Sequence, residues 1–296
     1  MSTPAGTAPG EFHYRVDRAA AGLFPGAHRS RQGESGFEFR GHVPLPQARD
    51  ARRVDLLASL RDPFGQWQVR VHAQRGTVPV WLLADLSASM GFEGVRSKLE
   101  TLADLAAAVA RSAHRHGDGF GFIGADASLR TDLLRPCTRQ RGIGYELAAT
   151  LRGLSFGTGS ARDAGGLLEA HRWLGRRRAL VFVASDFHLP DRLVRALFDS
   201  LSGHQVVPVV LWDAAEFSLP APAAAWLGQL LWPLVDPETG RTRLVWGRRA
   251  TREHWASLAQ RRREALRDLC APHRLRPVFL EHGFDADALN AHFLGG

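Results

Sequence analysis

Lysine is almost absent from this chain. Lys98 is the single lysine among 296 residues, although Lys and Arg together number 38 and give a formal charge of +8. The surface cation is therefore arginine, clustered at Arg52-Arg53, Arg176-Arg177-Arg178, Arg248-Arg249 and Arg261-Arg262-Arg263. Such clusters suit phosphates or acidic partners, and they are equally what an arginine-biased chain uses as ordinary solvated charge. No basic stripe interleaved with aromatics accompanies them, and no helix-turn-helix or RNA-binding signature. Nucleic acid is therefore not the expected partner. Cysteine occurs twice, at Cys137 and Cys270, with no metal-ligand or redox spacing. That excludes a disulfide scaffold and fits a reducing compartment. Long apolar runs are missing too: Phe217 to Val235 comes nearest, and Pro220, Pro222 and Pro233 interrupt it. With no basic-then-apolar leader in Met1 to Gly10, the expectation is a soluble, cytoplasmic protein with no membrane partner.

What is present is a globular composition, 45% hydrophobic and 23% charged, arranged in three blocks. Residues 1–76 open with a Gly/Pro-rich leader and turn strand-like. Val54 to Leu60 and Trp67 to His72 flank Asp62-Pro63-Phe64-Gly65 and predict a β-hairpin. With few apolar residues, this β-rich extension is expected to pack on the main domain rather than fold alone. From residue 77 onward, continuous apolar runs alternate with helical periodicity. Val78 to Ala84, Phe120 to Ile123, Ala179 to Ala184 and Val206 to Leu211 read as strands buried on both faces. Leu99 to His114, Ala161 to Leu174 and Arg192 to Leu201 read as helices, the first from Leu99, Leu102, Leu105, Ala106 and Val109. Pro208 should cost its strand one ladder bond. This alternation predicts an α/β fold with a doubly wound, mainly parallel sheet. An insertion at about 213–250 carries the turn Asp236-Pro237-Glu238-Thr239-Gly240, and the tryptophans at 226, 232, 246 and 255 read as its core. A helix from Thr251 (as N-cap) to Cys270, a strand from Arg276 to Leu280 and a helix from Asp285 to Phe293 complete the 77–296 domain.

Ligands of open parallel sheets gather outside the carboxyl ends of the strands. Three segments expected there carry oxygen ligands: Asp85-Leu86-Ser87-Ala88-Ser89-Met90, Ser155-Phe156-Gly157-Thr158-Gly159-Ser160, and Ser185-Asp186-Phe187. Asp85, Ser87, Ser89, Thr158 and Asp186 thus offer hard oxygens at one edge, a donor set suited to Mg²⁺ in octahedral coordination. Mn²⁺ and Ca²⁺ are alternatives. His188 lies close enough to Asp186 to touch the same edge.

These residues resemble the metal-ion-dependent adhesion site (MIDAS) of von Willebrand factor A domains: Asp-x-Ser-x-Ser, then a Thr, then an Asp. The resemblance implies that Ser87, Ser89 and Thr158 touch the metal. Asp85 and Asp186 would act mostly through water, and a partner's carboxylate would complete the shell. The flanks are similar to the family called domain of unknown function 58, associated with MoxR-type AAA+ ATPases. They are Pro25-Gly26-Ala27-His28-Arg29-Ser30, Arg53-Val54-Asp55-Leu56, Asp85 to Met90, Arg178-Ala179-Leu180, and Trp212-Asp213-Ala214-Ala215-Glu216 before Asp236 to Gly240. His42-Val43-Pro44-Leu45-Pro46-Gln47 departs from the family's Tyr-x-Pro-Gly-Asp-Asp element, and Leu56 replaces its usual Trp, which implies a divergent branch. Phe12-His13-Tyr14-Arg15 and Arg70 to Arg75 are similar to the branch found in methanol-oxidation clusters, thought to assist metal loading of methanol dehydrogenase.

The resemblance implies a non-enzymatic, metal-dependent adaptor whose partners are a MoxR-type ATPase and a client offering a carboxylate. The alternative is an arginine-rich binder of nucleic acid or anions. Enzyme readings lack their residues. A haloacid-dehalogenase nucleophile at Asp85 needs a second Asp where Ser87 stands. There is no Gly-x-Ser-x-Gly elbow, and Lys98 has no phosphate-loop context.

Overall fold

The computed structural model describes residues 10–16, 25–48, 50–92, 94, 96–156, 164–217, 231–235, 242–246 and 249–295. In chain order the elements are β1 (Pro25–Pro44), α1 (Leu56–Leu60), β2 (Gln68–Gly76), β3 (Pro79–Asp85), α2 (Lys98–Arg115), β4 (Gly119–Ala125), β5 (Arg135–Thr138) and α3 (Ile143–Arg152). They continue with α4 (His171–Leu174), β6 (Leu180–Ser185), α5 (Asp191–Ser200), β7 (Gln205–Leu211), β8 (Leu231–Val235), β9 (Thr242–Trp246), α6 (Arg249–Cys270), β10 (Val278–Leu280) and α7 (Ala286–Leu294). Six strands form the central sheet in the order β10-β7-β6-β3-β4-β5. All neighbours are parallel except β5, which runs antiparallel to β4. The protein is thus a mixed α/β fold on a mostly parallel sheet.

The apolar runs are continuous because both faces of the sheet are covered. Along β3, Val80, Leu82 and Ala84 join one core with Leu102, Leu105 and Val109 of α2, Leu147 of α3 and Leu289 of α7. Trp81 and Leu83 face the other core, with Val194 and Leu197 of α5 and Leu266 of α6. Alternate residues feed opposite layers, as a pleated strand requires. Each such side chain, once fully buried, contributes roughly 1.5–3 kcal/mol, so the sheet is held by its own packing. Gly121 is required beside Trp81: a Cβ there would come within 2.6 Å of the indole ring.

The leader belongs to this core. Phe12 and Tyr14 are buried, Phe12 N–H donates to Ser112 Oγ at 3.1 Å, and Tyr14 OH donates to Asp118 Oδ2 at 2.5 Å. The rest of the first block forms a separate antiparallel pair, β1 with β2. The expected hairpin is corrected here. Residues Leu56–Leu60 are helical rather than extended, because Asp55 caps them by accepting the Ala58 N–H at 3.1 Å. Leu56, Leu57, Leu60, Phe64 and Trp67 are left exposed. The helix expected over Ala161 to Leu174 is also corrected: 161–163 lie outside the described residues, Gly165–Ala170 is a 3-10 turn, and only His171–Leu174 is α-helical. The Gly165-Gly166 pair is a poor helix former. A further correction concerns Thr251, which lies inside α6 rather than at its cap, since the helix begins at Arg249.

Among the described residues, β8 and β9 pair with each other alone, in a two-stranded sheet apart from the central one. The Asp236 to Gly240 turn and Trp226 lie outside the described residues. Pro208 sits inside β7, paired with Val183 of β6 on one side and just before Val209–Leu211, the stretch that pairs with β10, on the other.

The two cysteines give a direct prediction. Burial pushes the Cys270 thiol up to about 12. Cys137 is at an exposed position on β5, but its sulfur turns inward: a Cβ at Gly119 would lie 2.7 Å from it. Burial pushes its thiol up to about 11. Alkylation needs the thiolate, so at pH 8 both should react with iodoacetamide at least about tenfold more slowly in the native protein than in guanidinium. Mass spectrometry of labelled peptides checks this, and rapid native labelling of either would refute it.

Candidate metal centre

The strand order fixes where a site can form. From β3 the chain goes through α2 to β4 on one side, and β6 lies on the other side of β3. The crevice between the carboxyl ends of β3 and β6 is therefore the topological switch point of the sheet. Asp85 ends β3, Ser185 ends β6 and Asp186 follows it, the two strands pairing in register through Ala84 and Ala184.

Asp85 is fully buried with both carboxylate oxygens engaged. Oδ1 accepts the Ser87 N–H at 2.8 Å and Oδ2 accepts the Ser185 hydroxyl at 2.6 Å. The Ser87 N–H bond turns the chain out of β3 into the 3-10 turn Ala88–Gly91, and this brings Ser87 Oγ and Ser89 Oγ within 3.2 Å of each other. Adjacent oxygen ligands of an octahedral ion with 2.0–2.1 Å bonds lie about 3 Å apart. The two hydroxyls hydrogen-bond to each other, at a spacing close to that of neighbouring ligands on one ion.

Asp186 is buried as well. Its Oδ1 accepts the His188 N–H at 3.1 Å and its Oδ2 accepts from Lys98 Nζ at 2.7 Å. Phe187, between them, has φ of 54°, a left-handed conformation unusual for an aromatic residue and worth about 1–3 kcal/mol of strain. It is held by its N–H on Ser185 Oγ at 2.7 Å and by Arg262 on its carbonyl.

The structure adds two residues that the sequence reading did not assign to the site. Lys98, at the start of α2, is 2% exposed. Its ammonium donates to Asp186, to Glu216 and, at 3.2 Å, to the Ser89 carbonyl. Glu216 in turn meets His188 Nε2 at 3.2 Å. Asp186, His188 and Glu216 hold their potential ligand atoms within 4.8 Å of one another. A signal for Lys98 was present in the sequence: one lysine kept where every other basic side chain is arginine.

The electrostatics divide the two aspartates. Burial, and then the charge of Asp186, push the Asp85 carboxyl up to about 6 against the pull of its Ser185 and Ser87 bonds. Asp186 is also raised by burial, but Lys98 and His188 outweigh this and leave it below the usual carboxylate range. Lys98 is opposed by burial and supported by Asp186 and Glu216, so it stays charged. The Glu216 hydrogen bond, with help from Asp186, holds His188 above its ordinary value. At the end of β7, Asp213 is buried with Oδ2 lacking a hydrogen-bond partner among the described residues.

Of the five expected site residues, the structure brings together Asp85, Ser87, Ser89 and Asp186. Thr158 lies outside the described residues. The donor set fits a hard divalent cation: paired hydroxyls over two buried carboxylates.

The family profile described as "Protein of unknown function DUF58" matches residues 49–265. The chain belongs to this family. It is 41% identical over 110 residues to an "Uncharacterized protein in moxR 3'region" of Paracoccus denitrificans, covering 36% of this chain and 94% of that one. Among solved structures it is similar to the conserved hypothetical protein BatB from Bacteroides thetaiotaomicron, at 15% identity and a TM-score of 0.43, over 74% of this chain and 97% of that one. A second is an aerotolerance-related membrane protein from Bacteroides fragilis, at 15% identity and a TM-score of 0.42, with the same coverage. Among the described residues of this DUF58 chain, no helix is long and apolar enough to cross a membrane.

Proposed function

We propose that this DUF58 protein is a non-enzymatic, divalent-cation-dependent protein-binding module of the von Willebrand factor A type, and that it acts as an adaptor for a MoxR-type AAA+ ATPase. The observation that carries the reading is the pair of hydroxyls, Ser87 and Ser89, at 3.2 Å above Asp85, which is itself fixed by Ser185. Ser87, Ser89 and Thr158 would hold the ion, and Asp85 and Asp186 would face it through water. The ion, when bound, supplies an electrophilic centre for the carboxylate of a client. The chain's own contribution is to hold two neutral hydroxyls forward and keep its carboxylates behind. The ion's charge is then less fully cancelled, and an acidic side chain from outside is drawn to it. Mg²⁺ is the expected occupant. The relative encoded in the moxR 3' region supports the ATPase as partner. The client belongs to the same reading: a protein whose maturation or metal loading the pair assists, with methanol dehydrogenase the candidate from the Phe12 to Arg15 and Arg70 to Arg75 resemblance.

The test is a pull-down of a MoxR-type ATPase from the same organism, and of its client. It compares Mg²⁺ with a chelator, and wild type with Ser87→Ala/Ser89→Ala. Recovery should fall at least about tenfold in the chelator and the double variant, since both remove direct coordination. Equal recovery in all arms would sink the metal-dependent reading. Loss of recovery with added salt but not with chelator would instead favour the arginine-rich surface.

A further inference from the structure

Lys98 stands where a cation would be expected. Its ammonium bridges Asp186 and Glu216, two of the three side chains in the Asp186–His188–Glu216 cluster, and its third donor meets the Ser89 carbonyl, in the same residue as the hydroxyl that faces the candidate ion. The residues come together from distant parts of the chain: Asp186 is 88 positions from Lys98 and Glu216 is 118. Solvent screens this contact little, because Lys98 and Asp186 side chains are each 2% exposed and Glu216 is 14% exposed. Lysine suits the task where arginine does not. A compact ammonium with three rotatable donors meets three acceptors around one point, whereas a planar guanidinium spreads its charge over a fork. This accounts for one lysine in a chain that otherwise uses only arginine.

We infer that Lys98 is a tethered counter-cation of the metal centre, one that competes with the divalent ion for Asp186 and Glu216 and thereby sets how tightly the ion is held. The inference rests on the metal reading of the same edge and adds to it a determinant of affinity. Asp186 has two oxygens, and Lys98 takes one of them; an ion approaching Asp186 meets a carboxylate already half neutralised and a fixed positive charge beside it. The same ammonium fills the Asp186–His188–Glu216 cluster, so that cluster is occupied by the protein's own cation rather than open to a second metal. Glu216 both anchors the ammonium and adds its own negative charge to the field around the ion.

The signs of three substitutions follow from charge. Lys98→Met preserves the length of the side chain and removes the competitor, so Mn²⁺ should bind roughly tenfold or more tightly than to wild type, given two charges a few ångströms from the ion in a poorly screened pocket. Glu216→Gln removes a carboxylate and leaves Lys98 to Asp186 alone, so Mn²⁺ should bind more weakly by a similar factor. The double variant restores the wild-type charge and should return within about threefold of it. Mn²⁺ alone is the probe, measured by calorimetry on the full chain, with thermal melts establishing that each variant is folded.

If Lys98→Met binds Mn²⁺ no more tightly than wild type, the inference is overturned while the metal reading stands. If Lys98→Met binds Mn²⁺ and wild type does not, the lysine is the resident cation and it is the metal reading of the native chain that fails. If neither binds, both are wrong. Should Lys98→Met fail to fold, Glu216→Gln decides alone: unchanged Mn²⁺ affinity overturns the inference.

Discussion

Asp85→Asn is expected to weaken Mn²⁺ binding by about 10- to 100-fold, the usual cost of losing a group that orients metal ligands, while leaving the sheet folded. Asp85 is the hub of the edge. It accepts the Ser87 N–H that turns the serine loop and the Ser185 hydroxyl that in turn receives the Phe187 N–H. Asparagine keeps the shape and one acceptor but loses the charge, and its amide points a donor where Asp85 accepts. Asp85→Ala goes further, leaving the Ser87 N–H and Ser185 hydroxyl without this partner inside the protein, at about 1–3 kcal/mol each. The asparagine variant therefore removes the charge and one accepted bond, where alanine removes both. Calorimetry with Mn²⁺, beside thermal melts in chelator, separates the two effects. An asparagine variant that binds Mn²⁺ like wild type would remove Asp85 from the site. A chelator melt close to the wild-type value is expected, because Leu82, Leu83, Phe182 and Val183 pack the strands from both faces without help from any ion.

The parts of this fold that the sequence showed plainly are those whose cause is local or periodic. β3, β6 and β7 read as buried strands because both of their faces are covered. α5 reads as a helix because only one of its faces is packed, and α2 because its leucines keep the helical period although most of the helix is buried. Where tertiary contacts decide, the sequence misled. α3 follows Gly142 and includes Gly144, a pair that looks like a loop; yet Gly144 is what lets the helix lie against α2, since a Cβ there would come within 2.5 Å of the Ala110 methyl. β5 is four residues long, contains Pro136 and lies at the sheet's edge, so no hydrophobic pattern announced it. In α1, the side chain of Asp55 outweighed the apparent strand pattern of its neighbours.

The site divides in the same way. Asp85, Ser87, Ser89 and Asp186 could be found because strand ends put them side by side, and strand ends are legible. Lys98 and Glu216 could not be joined to them by pattern, since each is a common helix or turn residue whose role comes only from where α2 and the Ala214–Phe217 turn sit. Their burial, not their spacing, marks them.

The scarcity of lysine has a second consequence, at alkaline pH. Most proteins carry many lysines that titrate near pH 10; here that interval is left to Lys98, the two tyrosines and the two thiols. Burial raises Tyr14 well above its ordinary value of 10.0, and the adjacent Asp118 carboxylate adds to the effect. Tyr14 thus keeps its proton in the folded chain at a pH where the unfolded chain loses it. The folded state then binds more protons, and stability must fall as pH rises above about 10, by up to about 1.4 kcal/mol per pH unit from this one group. Below pH 9 the group is protonated in both states and contributes no slope. The thiols of Cys137 and Cys270, raised to about 11 and about 12, act in the same direction from a lower starting point, since their ordinary value is 9.0. The guanidinium midpoint should therefore hold steady from pH 7 to 8 and then drop steeply between pH 9 and 11. Tyr14→Phe should start lower at pH 8, because Asp118 loses the 2.5 Å bond, but decline more gently above pH 10. In a Tyr145→Phe background, which leaves Tyr14 as the only tyrosine, phenolate absorbance should rise together with unfolding rather than before it. A phenolate signal from the folded protein near pH 10, or a slope unchanged by Tyr14→Phe, would show that the leader is not locked onto the turn between α2 and β4 through Tyr14 and Asp118.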